Sequence, residues 1–358
     1  MKITFVPRQS ISRPKSTLIL FLSLLGGFFL VGMVFVFRGI NPVFALFSIF
    51  RDSFGSLYGL KETVTKAIPL ILIAGGLCLV FQGKYWNIGA EGQLLIGAAF
   101  ATWLALNLGP KLPSFLIIPL MLLGGFIGGA LWALPPAIMK TKFNISEVIS
   151  TLMLNYISVE IISYLCIGPW KGASKSGFPY TEDFPVSARL DFIPGTRIHF
   201  FTLIVALLFA LALFFIIYKT SFGYELRVTG ENPNAARYAG ISVFKTTMIS
   251  MLISGGVAGI AGMGEVAGIH YHMSSYAATI SAGYGFTGII VAWLARLNPL
   301  LAIISALFFA GLLVGGDAIQ ISLNLPAATV NVFNGLLLFS LIVGEYFQTH
   351  KIKLVRGK

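Results

Sequence analysis

Four carboxylates sit where carboxylates are costly. Glu91, Glu160, Glu265 and Asp317 fall within apolar runs or at their ends. A charge at the bilayer centre costs about 2.5–3.5 kcal/mol on insertion scales, so such groups face a bundle interior or a wet cavity. There they mark a polar path. The plainer reading is a helix-to-helix hydrogen bond or a group near the headgroups. No Asp/Glu/His relay runs down a single helix, so proton coupling has no support in these positions.

Two Gly-rich polar segments point to the same chemistry. WNIGAEGQ (Trp86 to Gln93) and SAGYGFTG (Ser281 to Gly288) each open an apolar run. Paired Gly-interrupted segments at corresponding places in two halves are the pattern of a midplane binding site. Trp86, Tyr284 and Phe286 offer flat rings for stacking. Asn87, Gln93, Asn155 and Thr287 offer uncharged donors and acceptors. That set suits a neutral polar solute better than an ion. Most other glycines, such as Gly124, Gly125, Gly128, Gly129 and those from Gly255 to Gly268, read as close helix packing.

Other chemistries find no footing. His270-x-His272 has no carboxylate or Cys nearby to complete a metal site, so no metal is expected. Cys78 and Cys166 read as small packing residues. There is no GxxxxGK[ST] phosphate loop, no GxSxG elbow and no soluble segment large enough for a nucleotide domain. The chain is expected to be no enzyme, and any ATP chemistry belongs to a partner.

The elements that must hold these residues follow from composition. Of 358 residues, 56% are hydrophobic and 11% charged, and mean hydropathy is +0.87. Soluble domains carry about 25% charged residues. The apolar runs are too long and too unalternating for a barrel. An all-α polytopic membrane protein is expected. Its ten spans fall near 17–37, 62–82, 87–107, 114–139, 146–168, 198–218, 244–268, 283–296, 299–316 and 328–346, in two halves of five. Residues 1–16 and 347–358 are basic tails around a single transmembrane domain at 17–346.

Orientation rests on charge. With both ends cytoplasmic, sixteen of the 25 Lys and Arg lie inside, the bias expected of cytoplasmic loops. The net charge of +12 then meets anionic headgroups, and no nucleic acid is expected. Residues 169–197, rich in Pro, Gly and charge, form an extracellular loop or cap. Residues 219–243 form the long cytoplasmic loop. In it Asn232 can cap, Pro233 suits the first helical position and Gly240 suits the end. A short surface helix is predicted at 233–239, as a partner's handle or as a simple amphipathic connector.

At this point several stretches carry a resemblance. They are YWNIGAEGQLLIGAAFA, ISEVISTLMLNYI, GTRIH, FGYELRVTGENPNAARYAGIS, GYGFTGIIVA and VGGDAIQ. Together, in order from about Ala67 to Leu341, they resemble permease subunits of bacterial ABC importers. The likeness is to the branched-chain amino acid/ribose type, nearest the nucleoside (simple-sugar) permeases. NIGAEGQ and ENPNAARYAGIS are specific as a pair. Family members often carry Glu where this chain has Asp317, which keeps the charge.

The resemblance implies the inner membrane, a second homologous permease, and an ABC ATPase with two nucleotide-binding domains that holds ATP and Mg. It also implies an extracytoplasmic substrate-binding protein. It makes the 233–239 helix a coupling helix, with Phe222, Gly223, Tyr224, Glu225, Arg227, Gly230, Asn232, Ala235, Arg237, Tyr238 and Gly240 matching the coupling-loop pattern. The implied cargo is a nucleoside, or else a ribose-like sugar. A proton-coupled secondary transporter is the reading of another class.

Overall fold

Polar signals inside an apolar chain decide where its helices start and stop. A computed structural model describes residues 2–7 and 13–355. Fourteen helices lie among them: α1 (Arg13–Phe37), α2 (Pro42–Phe54), α3 (Leu57–Gln82), α4 (Ala90–Leu108), α5 (Ser114–Phe143), α6 (Glu147–Ile167), α7 (Phe200–Lys219), α8 (Ser221–Glu231), α9 (Pro233–Tyr238), α10 (Val243–Gly264), α11 (Ala277–Ser281), α12 (Tyr284–Leu294), α13 (Pro299–Ser322) and α14 (Ala327–Thr349). A π-helical turn, Glu265–His270, continues α10.

Each of the ten expected spans is helical, and eight helical stretches among the described residues are long and apolar enough to cross a bilayer. The stretches expected at 87–107 and 328–346, now α4 and α14, fall outside those eight. Glu91 and Gln93 open α4, and its surroundings are protein, because nearly every residue from Ala90 to Thr102 is buried. The expected span at 283–296 forms α12 without a break. Ala282 and Gly283 take left-handed backbone (φ 44° and 73°), which separates α11 from α12.

Three elements differ from the sequence reading. Helix α2 occupies a stretch read as an external connection; Asn41 caps it through its side chain and Pro42 takes its first position. Helix α8 occupies part of the cytoplasmic loop, capped by Thr220. The expectation of an all-α chain is also corrected. β1 (Lys2–Pro7) pairs antiparallel with β2 (His350–Val355), with Lys2 opposite Val355 and Pro7 opposite His350. Six residues of each expected tail are thus strand and Arg13 already opens α1, while residues 1, 8–12 and 356–358 lie outside the described residues.

The described chain divides into two compact units. In Val64–Ala310, helices α4, α5 and α10 form the central packed layer. Gly259 is where they meet. A Cβ there would run into the Gly125 carbonyl oxygen, and one at Gly97 would run into the Gly259 backbone. Without a hydrophobic driving force between helices in lipid, such close backbone approach is what packing can use. Leu70, Leu72, Ile73, Leu77 and Leu79 of α3 are fully buried, as are Leu94 and Leu95 of α4.

In the unit Met1–Thr63 with Gly311–Lys358, α1 packs on α14 and on α2. Gly27 lies against Leu337, and Ser340 donates its hydroxyl to the Ser23 carbonyl. Ser53 of α2 donates to the Gly311 carbonyl of α13. The two chain ends meet at the β1–β2 ladder.

Candidate functional site

The turn before α4 is built from amides. Asn87 and Gln93 exchange two hydrogen bonds, Asn87 Nδ2 to Gln93 Oε1 and Gln93 Nε2 to Asn87 Oδ1, each 3.0 Å. Asn87 also donates to Ser254 Oγ of α10 at 3.2 Å, and its Oδ1 accepts from Gly89 N at 3.0 Å. Asn155 of α6 clamps the same turn from the other side. Its Oδ1 accepts from Gly92 N at 2.9 Å and its Nδ2 donates to the Ile88 carbonyl at 2.9 Å. Thr151 Oγ1 accepts from Ile88 N at 3.3 Å.

These amides therefore hold irregular backbone rather than reach into open space. Asn87 is 0% exposed and Gln93 1%. Buried irregular backbone must be satisfied by protein, and here three side chains do it. Thr151 and Ser254 were not singled out from the sequence. Their signal was a small hydroxyl residue within an apolar helix.

Glu91 links this turn to the second Gly-rich segment. Its Oε2 accepts from the Gly285 N–H at 2.7 Å. The carboxylate thus sits on the first turn of α12, where unpaired N–H groups and the helix dipole favour an anion. WNIGAEGQ and SAGYGFTG, read as two halves of one site, are in contact.

The rings divide by exposure. Trp86 is 38% exposed and Phe286 37%, whereas Tyr284 is buried and Thr287 half-buried. Trp86 stacks on Trp293 at 5.5 Å between centroids, and Phe81 packs on both. Trp293 lies seven residues beyond Phe286, on the same face of α12. The aromatic wall was half-legible in the sequence; Phe81 and Trp293 were missed because each reads as ordinary apolar content.

The other carboxylates separate too. Glu265 is buried in the π-helical turn, where Lys66 and Arg197 are the charges acting on it. Glu160 and Asp317 are exposed on this chain, against the expectation that they face its interior. Asp317 lies on α13 in the other unit.

On the loop side, α9 forms as the cap and Pro predict. Asn232 Oδ1 accepts from Asn234 N at 3.0 Å and Ala235 N at 3.1 Å, and Gly240 takes φ 78° just past the end. Tyr224, Ala235, Arg237 and Tyr238 are exposed, Tyr238 at 95%. Gly223 and Gly230 are buried, Gly230 close against Gln82 and Gly83. Arg227 donates to the Ile217 carbonyl and lies 6.0 Å over the Tyr218 ring. Glu225 is half-buried.

The loop at 169–197 is ordered against the segment after the π-turn. Thr181 N donates to Met273 O at 3.0 Å and Phe184 N to Tyr271 O at 2.7 Å. Lys175 pairs with Asp183 at 2.6 Å, and His272 lies 3.6 Å from the same carboxylate. The Lys175 hydrogen bond holds the Asp183 carboxyl below the usual range. Burial, aided by the Lys175 charge, pushes the His272 imidazole down. His270 and His272 gather no metal set, and no group of three His, Cys, Asp or Glu does so among the described residues.

Helices long and apolar enough to cross a bilayer, packed around a buried polar turn, make the chain a multi-pass membrane protein. Residues 59–342 match the branched-chain amino acid transport system / permease component family, and the chain belongs to that family. It is 34% identical to the glucose ABC transporter permease protein TsgB13 of Haloferax volcanii, over 90% of this chain and 86% of that one. It is 33% identical to the guanosine ABC transporter permease protein NupP of Bacillus subtilis, over 91% of both. It is 28% identical to the nucleoside ABC transporter permease protein NupB of Lactococcus lactis, over 93% and 92%. The chain is a multi-pass permease subunit of the cytoplasmic membrane.

Proposed function

We propose that the chain forms half of the path of an ATP-driven nucleoside importer and is driven through α9. The observation that carries the reading is Tyr238, 95% exposed beside the exposed Arg237 on a capped helix of six residues. Exposed Tyr and Arg together are the residue types that dominate protein interfaces. The partner is an ATPase with two nucleotide-binding domains, which holds ATP and Mg. Its closure moves α9 and rocks the bundle between inward and outward states, and solute moves because it binds the two states differently.

Ten crossings with both ends cytoplasmic fit the charge bias, and pairing of β1 with β2 keeps the two ends on one side. A second homologous permease supplies the other half of the path, and an extracytoplasmic binding protein delivers the solute. Trp86 and Phe286 offer exposed rings to a base, with Tyr284, Thr287 and Asp317 contributing to the path. Asn87, Glu91, Gln93 and Asn155 set the backbone that carries those rings. Gly223, Gly230 and Arg227 hold α8 so that Tyr224, Glu225, Asn232, Ala235 and Gly240 present α9 to the ATPase.

A simple sugar is the second cargo, favoured by the 34% identity to a glucose permease. Vesicles holding the complete complex decide. ATP-dependent uptake of labelled guanosine over ribose or glucose supports the nucleoside reading, and the reverse order supports the sugar. Uptake that persists without ATP and collapses with the proton gradient makes the chain a secondary transporter instead.

A further inference from the structure

A polar cavity lies beside the turn before α4, whose residues Lys84 and Tyr85 line it. It is a cleft of about 770 Å³ between α9, the cytoplasmic ends of α5 and α10, and the start of α6. Lys84, Lys140, Lys142 and Arg237 line it with a single carboxylate, Glu147. Glu147 is taken by Lys140 at 2.8 Å. Among the described residues, Lys84, Lys142 and Arg237 make no ion pair. The N-terminus of α10, through Ser242 and Val243, adds its positive dipole end to the same wall.

A second feature lies at the wall of this cleft. Thr229 lines it, is 4% exposed, and its hydroxyl has no hydrogen-bond partner among the described residues. A buried hydroxyl left unpaired costs about 1–3 kcal/mol. An oxygen-rich anion in the cleft neutralises three cations that make no ion pair, Lys142 lying 6.0 Å over the Phe244 ring and Arg237 being bonded to Asn234. The volume is that of a site for a headgroup or small solute.

We propose that this cleft is a binding site for a phosphate-bearing anion, held by Lys84, Lys142, Arg237 and the Thr229 hydroxyl. The assignment stands whether or not α9 is the ATPase handle. Two sources share the chemistry: an anionic lipid headgroup at the cytoplasmic interface, and a soluble phosphate compound. Lys142 and Thr229 are the positions to change, because neither belongs to the proposed coupling surface.

The experiment uses the purified full chain in neutral detergent. Phosphatidylglycerol and phosphatidylcholine are titrated with native mass spectrometry as readout, and inorganic pyrophosphate by calorimetry. Lys142→Gln is expected to weaken the bound anion about fivefold, the effect of one interfacial cation. Thr229→Val is expected to weaken it too while leaving thermal stability equal or higher, since it removes an unpaired hydroxyl. Retention of phosphatidylglycerol over phosphatidylcholine, weakened in both variants, identifies a lipid headgroup. Pyrophosphate binding weakened in both variants identifies a soluble ligand. Equal retention of the two lipids with no pyrophosphate binding overturns the proposal, as does anion binding that neither substitution changes.

Discussion

Gly285 donates its backbone N–H to the Glu91 carboxylate at 2.7 Å, so the first turn of α4 caps the first turn of α12 across 194 residues of sequence. Removing the acceptor strands a buried donor at a helix start. Glu91→Ala is therefore expected to destabilise the purified protein by about 1–3 kcal/mol. Glu91→Gln keeps an acceptor oxygen but loses the charge and lowers stability less. Thermal unfolding of both variants in one detergent reads the order, and equal midpoints for alanine variant and parent contradict this role.

Asn87 and Phe286 lie on opposite sides of the question of what touches solute. Asn87 is 0% exposed with its amide paired to Gln93, whereas Phe286 is 37% exposed. Phe286→Ala is expected to raise the half-saturating solute concentration while ATPase assembly and thermal stability hold. Asn87→Ala is expected to lower stability, with a coupling to Gln93→Ala of about 0.6–1.7 kcal/mol in a double-mutant cycle. Uptake kinetics beside unfolding curves separate the two, and zero coupling shows that the amide pair contributes nothing.

Helix existence was legible in this sequence, but helix environment was not. Every one of the ten apolar runs is helical, because length and apolarity alone demand it in lipid. Burial is another matter. Faces toward lipid and faces toward protein are both apolar, so no periodicity separates buried Glu91 and Glu265 from exposed Glu160 and Asp317. Helix α2 was missed although Asn41-Pro42 repeats the Asn232-Pro233 signal that located α9. The terminal strands carry short alternating runs, KITFVP and HKIKLV, whose pairing depends on residues almost a whole chain apart. At the site, the sequence placed the two Gly-rich segments together. It did not separate amides that hold backbone from rings that stay open, since that depends on Asn155, Thr151 and Ser254 arriving from other helices.

Gly259 is where added volume is expected to hurt most. A Cβ there meets the Gly125 carbonyl oxygen, with Gly129 beside it. Backbone cannot rotate away as a side chain can, so Gly259→Ala is expected to cost about 1–3 kcal/mol as overpacking. Gly335→Ala is the control, because a Cβ at Gly335 meets nothing within 4 Å. There the better helix propensity of alanine leaves stability unchanged or raises it, by up to about 1 kcal/mol. Unfolding midpoints that fall equally in both variants rule out the close contact as the cause.

The loop at 169–197 is expected to loosen in acid. Asp183 and His272 both have pKa values below their ordinary ones in the folded protein. A lowered folded value means the group contributes stability above its unfolded pKa, about 6.5 for His and 3.9 for Asp. That contribution disappears as pH falls through the folded value. The His272 share therefore begins to go below about pH 6.5, and the Asp183 share only in stronger acid, where screening at its exposed carboxylate keeps it small. Hydrogen-exchange protection of the Thr181 and Phe184 amides, corrected for intrinsic rate, should drop between about pH 7.5 and 5. His272→Gln should flatten that drop, and a flat profile in the parent removes His272 from the account.

Arg237 tests the drive itself. Its guanidinium is exposed and bonded only weakly within the described residues, to Asn234 Oδ1 at 3.5 Å. Reversing its charge leaves the fold alone, because an exposed side chain on α9 supports no core. At an interface the reversal replaces attraction by repulsion, a change of several kcal/mol. Arg237→Glu is expected to reach the membrane at normal levels, to lose at least about tenfold in ATP-driven uptake, and to break the link between hydrolysis and transport. Tyr238→Ala should act in the same direction, at about 2 kcal/mol or more if the ring seats in the partner. Normal uptake and normal ATPase binding in both variants would free α9 of any coupling role and leave it a simple connector between α8 and α10.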